Sequence, residues 1–250
     1  MANPIDPINS IEEYHKNIQE PWFRLMYDVA YRQLNISSNA NPPLNILDFG
    51  SGFGVTANYY AQWHNVTAVE PNLKMSDKRF CDNKYTQITG GVEMLADYPA
   101  ESFDVVICHN VLEYAENKED IFGELARILK SGGRFSILKH NKYGKIMHSA
   151  VFEANPKKAI ELFSDNDFDL SPTFGDRKLY TLREVSAWTK KYNLTIDKIF
   201  GLRTFFCLIQ DNSVKYDSEW YQKMIELEIK AGEIDEYINI AFLHHLIIRK

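Results

Sequence analysis

The chain has 250 residues, of which 45% are hydrophobic and 25% charged, a composition typical of globular rather than disordered proteins. Its 28 basic and 34 acidic residues give a net charge of −6, which argues against a uniformly basic nucleic-acid-binding surface but allows a local basic patch. Cys81, Cys108 and Cys207 form no CxxC pair, so we expect neither a metal site nor a disulfide scaffold.

The N-terminal residues, 1–43, are predicted to form a helical cap. Ile11–Leu34 has apolar residues at helical spacing, with a break near Pro21. Met1–Tyr14 lacks the apolar core of a signal peptide, and no segment of the chain reaches the roughly 18 apolar residues that cross a membrane. We therefore expect a cytoplasmic protein that does not bind membranes.

Short apolar strands alternate with helices over residues 44–141, which is typical of a parallel sheet covered on both faces. The strands are predicted at Leu44–Gly50, Val66–Glu70, Tyr85–Thr89, Phe103–His109 and Arg134–His140. The helices are predicted at Val55–His64, Asn72–Cys81 and Lys118–Leu129. We interpret Ser131–Gly133 as the stop signal of the last helix.

The second half is less regular, and we interpret residues 1–250 as a single domain. Residues 142–179 are predicted to form a lid inserted over the mouth of the sheet, helical across Lys142–Asp165, and residues 180–250 to form a substrate half. The predicted elements of that half are a helix at Thr181–Tyr192, an extended segment at Leu194–Ile209 broken at Gly201, a helix at Asp217–Lys230 and a final strand at Tyr237–Arg249.

A glycine-rich turn, Asp48–Gly54, follows the first strand, and Glu70 ends the second. Open α/β sheets bind ligands at the carboxyl ends of their strands, where small residues allow close approach and a carboxylate can accept hydrogen bonds from ribose hydroxyls. The dinucleotide fingerprint needs a small residue where Val55 stands, and no P-loop sequence follows. The turn therefore indicates a nucleoside cofactor and disfavours a nicotinamide oxidoreductase.

Four motifs follow one another along the chain: Leu47–Gly54, Val69–Pro71, Ser102–Glu113 and Leu129–Phe135. Together they resemble the motifs of class I S-adenosylmethionine-dependent methyltransferases. The resemblance implies an α/β, Rossmann-like class I methyltransferase fold whose mostly parallel seven-stranded sheet carries a helical lid insertion. It also implies that S-adenosylmethionine is the cofactor and S-adenosylhomocysteine the product.

Carried over residue by residue, the resemblance implies cofactor contacts in the turns that follow successive strands. The implied cofactor-binding residues are Asp48, Gly50, Ser51, Gly52, Glu70, Pro71, Asn72, Met75, Val92, Glu93 and His109. Asp48 would orient the methionine ammonium and Glu70 would bind the ribose. Many relatives have an acid at the position of Gly91, so the adenine amino group is left to Glu93 or to backbone groups alone.

Six further segments carry a second resemblance: Tyr14–Ile18, His109–Tyr114, Asn141–His148, Leu170–Pro172, Gly201–Phe205 and Glu226–Glu228. They are similar to segments of the bacterial tRNA 5-carboxymethoxyuridine methyltransferase family. That resemblance implies a tRNA whose modified wobble uridine carries an ionised carboxylate, which needs cations to place it rather than a base. The candidate catalytic residues are His109, Arg203 and Lys16, and Arg203 is expected to bind substrate together with Lys142 and Tyr143.

Other interpretations stay open. A small-molecule methyltransferase acting on an O, N or carboxylate acceptor could use His109, His140 or His148 as a base. A binding protein without transfer activity is disfavoured, because the glycine turn and Glu70 are intact. The sequence indicates no oligomeric state.

Overall fold

The computed structural model describes residues 7–164, 168–171 and 175–250. Its helices are α1 Pro7–Asn17, α2 Pro21–Leu34, α3 Val55–Tyr60, α4 Leu73–Asp77, α5 Lys118–Ile128, α6 Lys142–Val151, α7 Pro156–Glu161, α8 Leu182–Lys191, α9 Ser218–Ala231 and α10 Asp235–Ile238. Short 3-10 helices lie at Val92–Leu95, Leu112–Tyr114, Phe206–Leu208 and Ser213–Tyr216.

Strands form a seven-stranded sheet and a separate hairpin. They are β1 Asn45–Phe49, β2 Asn65–Glu70, β3 Thr86–Thr89, β4 Phe103–His109, β5 Leu129–His140, β6 Phe168–Ser171, β7 Gly175–Lys178, β8 Thr195–Leu202 and β9 Leu243–Arg249. The sheet order is β3-β2-β1-β4-β5-β9-β8, with parallel pairing from β3 through β5, whereas β6 and β7 pair antiparallel. The mostly parallel, seven-stranded Rossmann-like fold is confirmed. Strand order reverses between β1 and β4, which is where such sheets bind ligands.

The chain divides into two compact units. The first comprises the residues through Asn35 together with Lys139–Tyr180 and Ile199–His245, and the second comprises Ile36–Leu138, Thr181–Lys198 and Leu246–Lys250.

Apolar burial on the central strands determines the core of the second unit. Ile46 and Leu47 of β1 and Val106 and Ile107 of β4 are fully buried, as expected for central strands of a sheet covered on both faces. Phe122 of α5 is fully buried as well, with its ring centroid 5.2 Å from that of Phe135 on β5.

The interpretation of Ser131–Gly133 as a helix stop is wrong. Helix α5 ends at Ile128, and these residues lie within β5. The Gly132 N–H donates to the Lys250 carbonyl (2.9 Å), and the Lys250 N–H donates to Gly133 (3.4 Å). Pairing with the distant C-terminus thus extends the strand through glycines that, locally, favour a turn.

Gly201 does not break the extended segment, because β8 runs through it. Its N–H donates to the Gly232 carbonyl (2.9 Å), and the Gln33 side chain donates to its carbonyl (3.0 Å). A Cβ at Gly201 would lie 3.0 Å from that of Ala241, so close packing accounts for this glycine. The extended prediction fails beyond Leu202, where a loop and a 3-10 helix follow.

Two further boundaries differ from prediction. The final strand begins at Leu243, because Asp235–Ile238 forms α10. The helix predicted from Lys142 is two helices, since Pro156 cannot continue a helix and Asn155 caps α7 by accepting the Lys158 N–H (3.0 Å). Asp165, the predicted end of that helix, and Pro172, the end of one resemblance motif, lie outside the described residues.

A membrane-spanning helix would need length and apolarity together. None of the helices in the described part of the chain has both.

Candidate active site

The glycine turn after β1 has a backbone that side chains would not tolerate. Gly50 has φ +72° and Gly52 φ +56°, both left-handed. A Cβ at Gly50 would lie 2.3 Å from Cγ2 of Val111, so no side chain fits. The N–H groups of Gly50 and Ser51 both donate to the Val69 carbonyl, at 2.8 and 3.0 Å, which fastens the turn to β2.

Glu70, at the end of β2, connects the turns that follow three strands. Its Oε2 accepts the Gly52 N–H (2.7 Å), its Oε1 accepts the Asn72 N–H (2.8 Å), and its carbonyl accepts the Gly90 N–H (3.1 Å). The side chain is buried, and burial raises its pKa. Each carboxylate oxygen has a second lone pair, so Glu70 can accept ribose hydroxyls as well.

Two buried polar atoms of the turn have no hydrogen-bond partner among the described residues. They are Oδ2 of Asp48 and Oγ of Ser51. The pKa of Asp48 is raised to about 7, chiefly by burial and to a smaller extent by the nearby Glu70 charge, while the hydrogen bond from the Ala57 N–H opposes the rise. A buried polar atom without a partner costs about 1–3 kcal/mol. These atoms therefore fit a ligand that brings an ammonium group.

The residues predicted to flank adenine lie beside this turn. Asn72 is the N-cap of α4, where its side chain accepts the Lys74 and Met75 N–H groups at 3.1 and 3.3 Å. Met75 is buried, and its Cε would be 3.1 Å from a Cβ at Gly52. Pro71 is exposed. The structure thus places Asn72 and Met75 with the glycine turn.

The Glu93 carboxylate lies over Gly91. Its Oε1 accepts the Gly91 N–H (2.7 Å), and this bond lowers the Glu93 pKa. A Cβ at Gly91 would lie 2.8 Å from Oε2 of Glu93. The Glu93 carboxylate therefore fills the space into which a side chain at position 91 would begin. The neighbouring Val92 is half-buried.

His109 ends β4, and its Nε2 lies 2.7 Å from the hydroxyl of Ser136. Ser136 lies on the adjacent β5 and is fully buried. Sequence reasoning missed this serine. A polar residue within the apolar run Phe135–Leu138 was the available signal.

In the first unit, Arg203 follows β8 and has a left-handed backbone, with φ +59°. Its guanidinium carbon lies 5.2 Å from the ring centroid of Phe242, a cation–π contact. Its buried Nε has no hydrogen-bond partner, and no carboxylate of the described residues is within ion-pair distance. Burial lowers the Arg203 pKa. An anionic ligand would satisfy this cation.

Glu228 holds the backbone that follows Arg203. The fully buried carboxylate accepts the N–H groups of Thr204 at 2.8 Å, Phe205 at 2.9 Å and Phe206 at 2.7 Å. Sequence reasoning assigned no role to Glu228. The available signal was its position in the apolar stripe of α9, which also contains Tyr221, Met224 and Ile225.

Other cations and aromatic rings surround Arg203. The His148 ring stacks on Phe152 at 4.8 Å and lies 5.1 Å from Phe242 (both between centroids). The Lys215 Nζ lies 4.7 Å from the Phe206 ring centroid. Burial lowers the pKa of both His148 and Lys215, and the Arg203 charge lowers each further. Arg203 and Lys215 are the cations of this cluster, which also contains two carboxylates: Glu153, which lies 3.5 Å from His148, and the buried Glu228.

The remaining predicted substrate residues lie elsewhere on the first unit. Lys16, in the last turn of α1, has an exposed side chain that makes no hydrogen bond to any described residue. The Lys142 Nζ donates to the Ser164 carbonyl (3.1 Å). Tyr143 is 61% exposed, as a ring that stacks on an unpaired base should be. Their roles stay predictions.

A resident metal would need several ligands on facing residues. Within residues 7–164, 168–171 and 175–250, no group of three or more His, Cys, Asp or Glu side chains could hold a metal ion.

Comparison with known families matches residues 47–137 to the family described as "Methyltransferase domain". This segment begins within β1 and includes the glycine turn, Glu70 and His109. It therefore contains every residue that was predicted to bind the cofactor.

The chain is 24% identical over 222 residues to the tRNA 5-carboxymethoxyuridine methyltransferase of Escherichia coli O157:H7, covering 83% of this chain and 80% of the relative. It is 26% identical over 194 residues to the ubiquinone biosynthesis O-methyltransferase of Pseudomonas fluorescens (strain Pf0-1), covering 74% and 79%. The S-adenosylmethionine-dependent methyltransferase structure from Mesorhizobium loti has the same fold, with a TM-score of 0.55 and 14% identity, covering 93% of this chain and 99% of that one.

Proposed function

Since the chain is an S-adenosylmethionine-dependent methyltransferase, we propose that its methyl acceptor is a carboxylate, that of 5-carboxymethoxyuridine at the wobble position of tRNA. The product would be the methyl ester. The proposal includes a cytoplasmic location, where tRNA is found. Its support is the 24% identity over most of the chain and the Arg203 guanidinium, whose buried Nε has no partner among the described residues.

The cofactor unit fits S-adenosylmethionine, which supplies an electrophilic methyl group when bound. Asp48 would accept the ammonium through its partnerless buried Oδ2, and Glu70 would accept the ribose hydroxyls. Gly50, Ser51 and Gly52 would line the methionine portion. The fit rests on the left-handed glycines and on two buried polar atoms without partners.

At the other end of the cofactor, Asn72 and Met75 would flank the adenine, beside Pro71 and Val92. Glu93 would accept the adenine amino group in place of the acid that many relatives have at position 91. Support for this role is the position of the Glu93 carboxylate, which fills the space above Gly91.

The single observation that carries the acceptor class is Arg203. It is a guanidinium with a buried Nε that has no partner, and no carboxylate of the described residues pairs with it. A buried charge without a counter-ion is unfavourable unless a ligand brings one. A guanidinium matches a carboxylate through paired hydrogen bonds. Arg203 would therefore bind and orient the acceptor carboxylate.

Proton chemistry supports the same acceptor. A carboxylic acid is ionised at neutral pH, so methylation of its oxygen requires no proton removal. The protein then needs to supply orientation and exclusion of water. His109, whose Nε2 lies 2.7 Å from the Ser136 hydroxyl, would line the reaction centre without acting as a base.

Recognition of tRNA would use the first unit beyond Arg203. Lys16 and Lys142 supply positive charge for phosphates, and the exposed ring of Tyr143 can stack on an anticodon base. Local positive charges such as those of Lys16 and Lys142 can bind RNA phosphates even on a chain whose net charge is −6.

A second candidate is methylation of a phenol-type oxygen on a small molecule. It is favoured by the 26% identity to the ubiquinone biosynthesis O-methyltransferase. The residue that suits it is His148, whose pKa burial lowers, so that its imidazole is neutral and can accept a proton near pH 7. This acceptor needs such a base, whereas the carboxylate does not.

The test measures methyl transfer from labelled S-adenosylmethionine to three acceptors: tRNA with carboxymethoxyuridine, tRNA without it, and a panel of small phenols and acids. We expect transfer to the first acceptor only, with the label in an alkali-labile ester. Arg203→Met should strongly reduce transfer at low tRNA concentration by raising the KM for tRNA, whereas Arg24→Met, which changes an exposed arginine of the same unit, should not. Alkali-stable label on a phenol would establish the second candidate instead.

A further inference from the structure

The backbone at Arg203 is strained, and Glu228 of helix α9 accepts hydrogen bonds from the three residues that follow it. Arg203 has φ +59°, in a region that L-residues with side chains adopt rarely. Such a conformation persists only where its surroundings impose it, and it is frequently found at functional sites. The question is which group imposes it here.

The three residues after Arg203 all donate their backbone N–H groups to one side chain. Oε2 of Glu228 accepts Thr204 at 2.8 Å, and Oε1 accepts both Phe205 at 2.9 Å and Phe206 at 2.7 Å. The carboxylate is fully buried. Hydrogen bonds from N–H groups to a buried anion are strong and directional, so this arrangement fixes the backbone path.

Glu228 does not neutralise Arg203. No nitrogen of Arg203 lies within ion-pair distance of a described carboxylate, although the Glu228 charge acts on the Arg203 pKa. The two Glu228 oxygens point at backbone donors instead. Glu228 therefore binds the backbone that follows Arg203, while the buried Nε of Arg203 has no hydrogen-bond partner among the described residues.

We propose that Glu228 is the positioning residue for the methyl acceptor: by binding the Thr204–Phe206 N–H groups, it fixes the left-handed turn at Arg203 and aims the guanidinium at the acceptor carboxylate. The proposal rests on the proposed function, in which Arg203 binds that carboxylate. Glu228 itself touches neither cofactor nor acceptor.

The informative variant is Glu228→Gln, which keeps the shape but replaces one acceptor oxygen with an NH₂ donor that faces an N–H group. Glu226→Gln is the matched control, because it makes the same chemical change at an exposed position of the same helix. There the carboxylate pairs with Lys223 (3.1 Å) and with no other cation of the described residues. Glu228→Asp is the milder second variant, which retains the charge on a shorter side chain.

Kinetics supply the first readout. Glu228→Gln loses one hydrogen bond between a backbone N–H group and the charged carboxylate. We therefore expect it to raise the KM for tRNA about tenfold to hundredfold. The Kd of S-adenosylmethionine should stay within about twofold, since its residues lie in the other unit, and Glu226→Gln should match the wild type. In an Arg203→Met background, Glu228→Gln should add no further rise in KM, because both changes remove the same interaction.

The second readout needs no acceptor. The Arg203 Nε–H resonance, identified by its loss in Arg203→Met, should shift in Glu228→Gln and Glu228→Asp but not in Glu226→Gln. An unmoved resonance, or an unchanged KM in folded Glu228→Gln, would overturn the proposal. If the wild type methylates no carboxylate, the proposed function fails by itself, and the resonance still decides whether Glu228 positions Arg203.

Discussion

Replacing Glu70 with glutamine tests whether one carboxylate both shapes the glycine turn and binds the cofactor. Glu70 accepts the Gly52 N–H at 2.7 Å and the Asn72 N–H at 2.8 Å. Glutamine has one acceptor oxygen, so its NH₂ group must face one of these two donors. The same change removes the charge that would bind the ribose hydroxyls.

Hydrogen bonds to a charged acceptor contribute about 1.5–3 kcal/mol each. A loss of about 1.4 kcal/mol of binding free energy corresponds to a tenfold increase in Kd. Loss of one such bond to the ribose should therefore increase the Kd of S-adenosylmethionine roughly tenfold to hundredfold. The assay is isothermal titration calorimetry on Glu70→Gln. The control is Glu116→Gln, an exposed acid of the same unit, with thermal unfolding measured for both.

The reasoning would be refuted by a Glu70→Gln protein that remains folded and binds S-adenosylmethionine as tightly as the wild type. A Kd that also rises in Glu116→Gln would equally contradict it, because net charge rather than the Glu70 contacts would then be responsible.

Three further outcomes are expected. Gly50→Ala should abolish cofactor binding and destabilise the fold by about 1–2 kcal/mol, because its φ is +72° and its Cβ would meet Val111 at 2.3 Å; calorimetry and thermal unfolding measure both. Arg203→Met should raise the KM for tRNA at least about a hundredfold without changing the Kd of S-adenosylmethionine. Cofactor affinity should fall as the pH is lowered through about 7, where Asp48 gains a proton and loses the charge that attracts an ammonium, and Asp48→Asn should lose this pH dependence.

Local patterns are enough to predict the cofactor half of the fold. The alternation of strands and helices predicts a parallel sheet, and Gly50, Gly52 and Glu70 identify its ligand-binding edge, because these features depend on residues close together in sequence. The same reasoning misplaced Ser131–Gly133, since their strand conformation depends on pairing with Lys250.

The acceptor side depends on contacts between distant residues. Glu228 binds N–H groups 22 to 24 positions earlier in the chain, and Phe242, which lies just before β9, contacts the Arg203 guanidinium. Sequence indicated that Arg203 is a candidate, through a family resemblance. It could not indicate that the Arg203 Nε is buried with no partner among the described residues, because burial and pairing are properties of the folded chain.

The most direct test of the acceptor class is mass spectrometry of nucleosides from tRNA incubated with the protein and S-adenosylmethionine. Carboxymethoxyuridine should gain the mass of one methyl group, and mild alkali should remove it, as it removes a methyl ester. An unchanged carboxymethoxyuridine in the presence of bound cofactor, or a methyl group that resists alkali, would contradict methylation of the carboxylate.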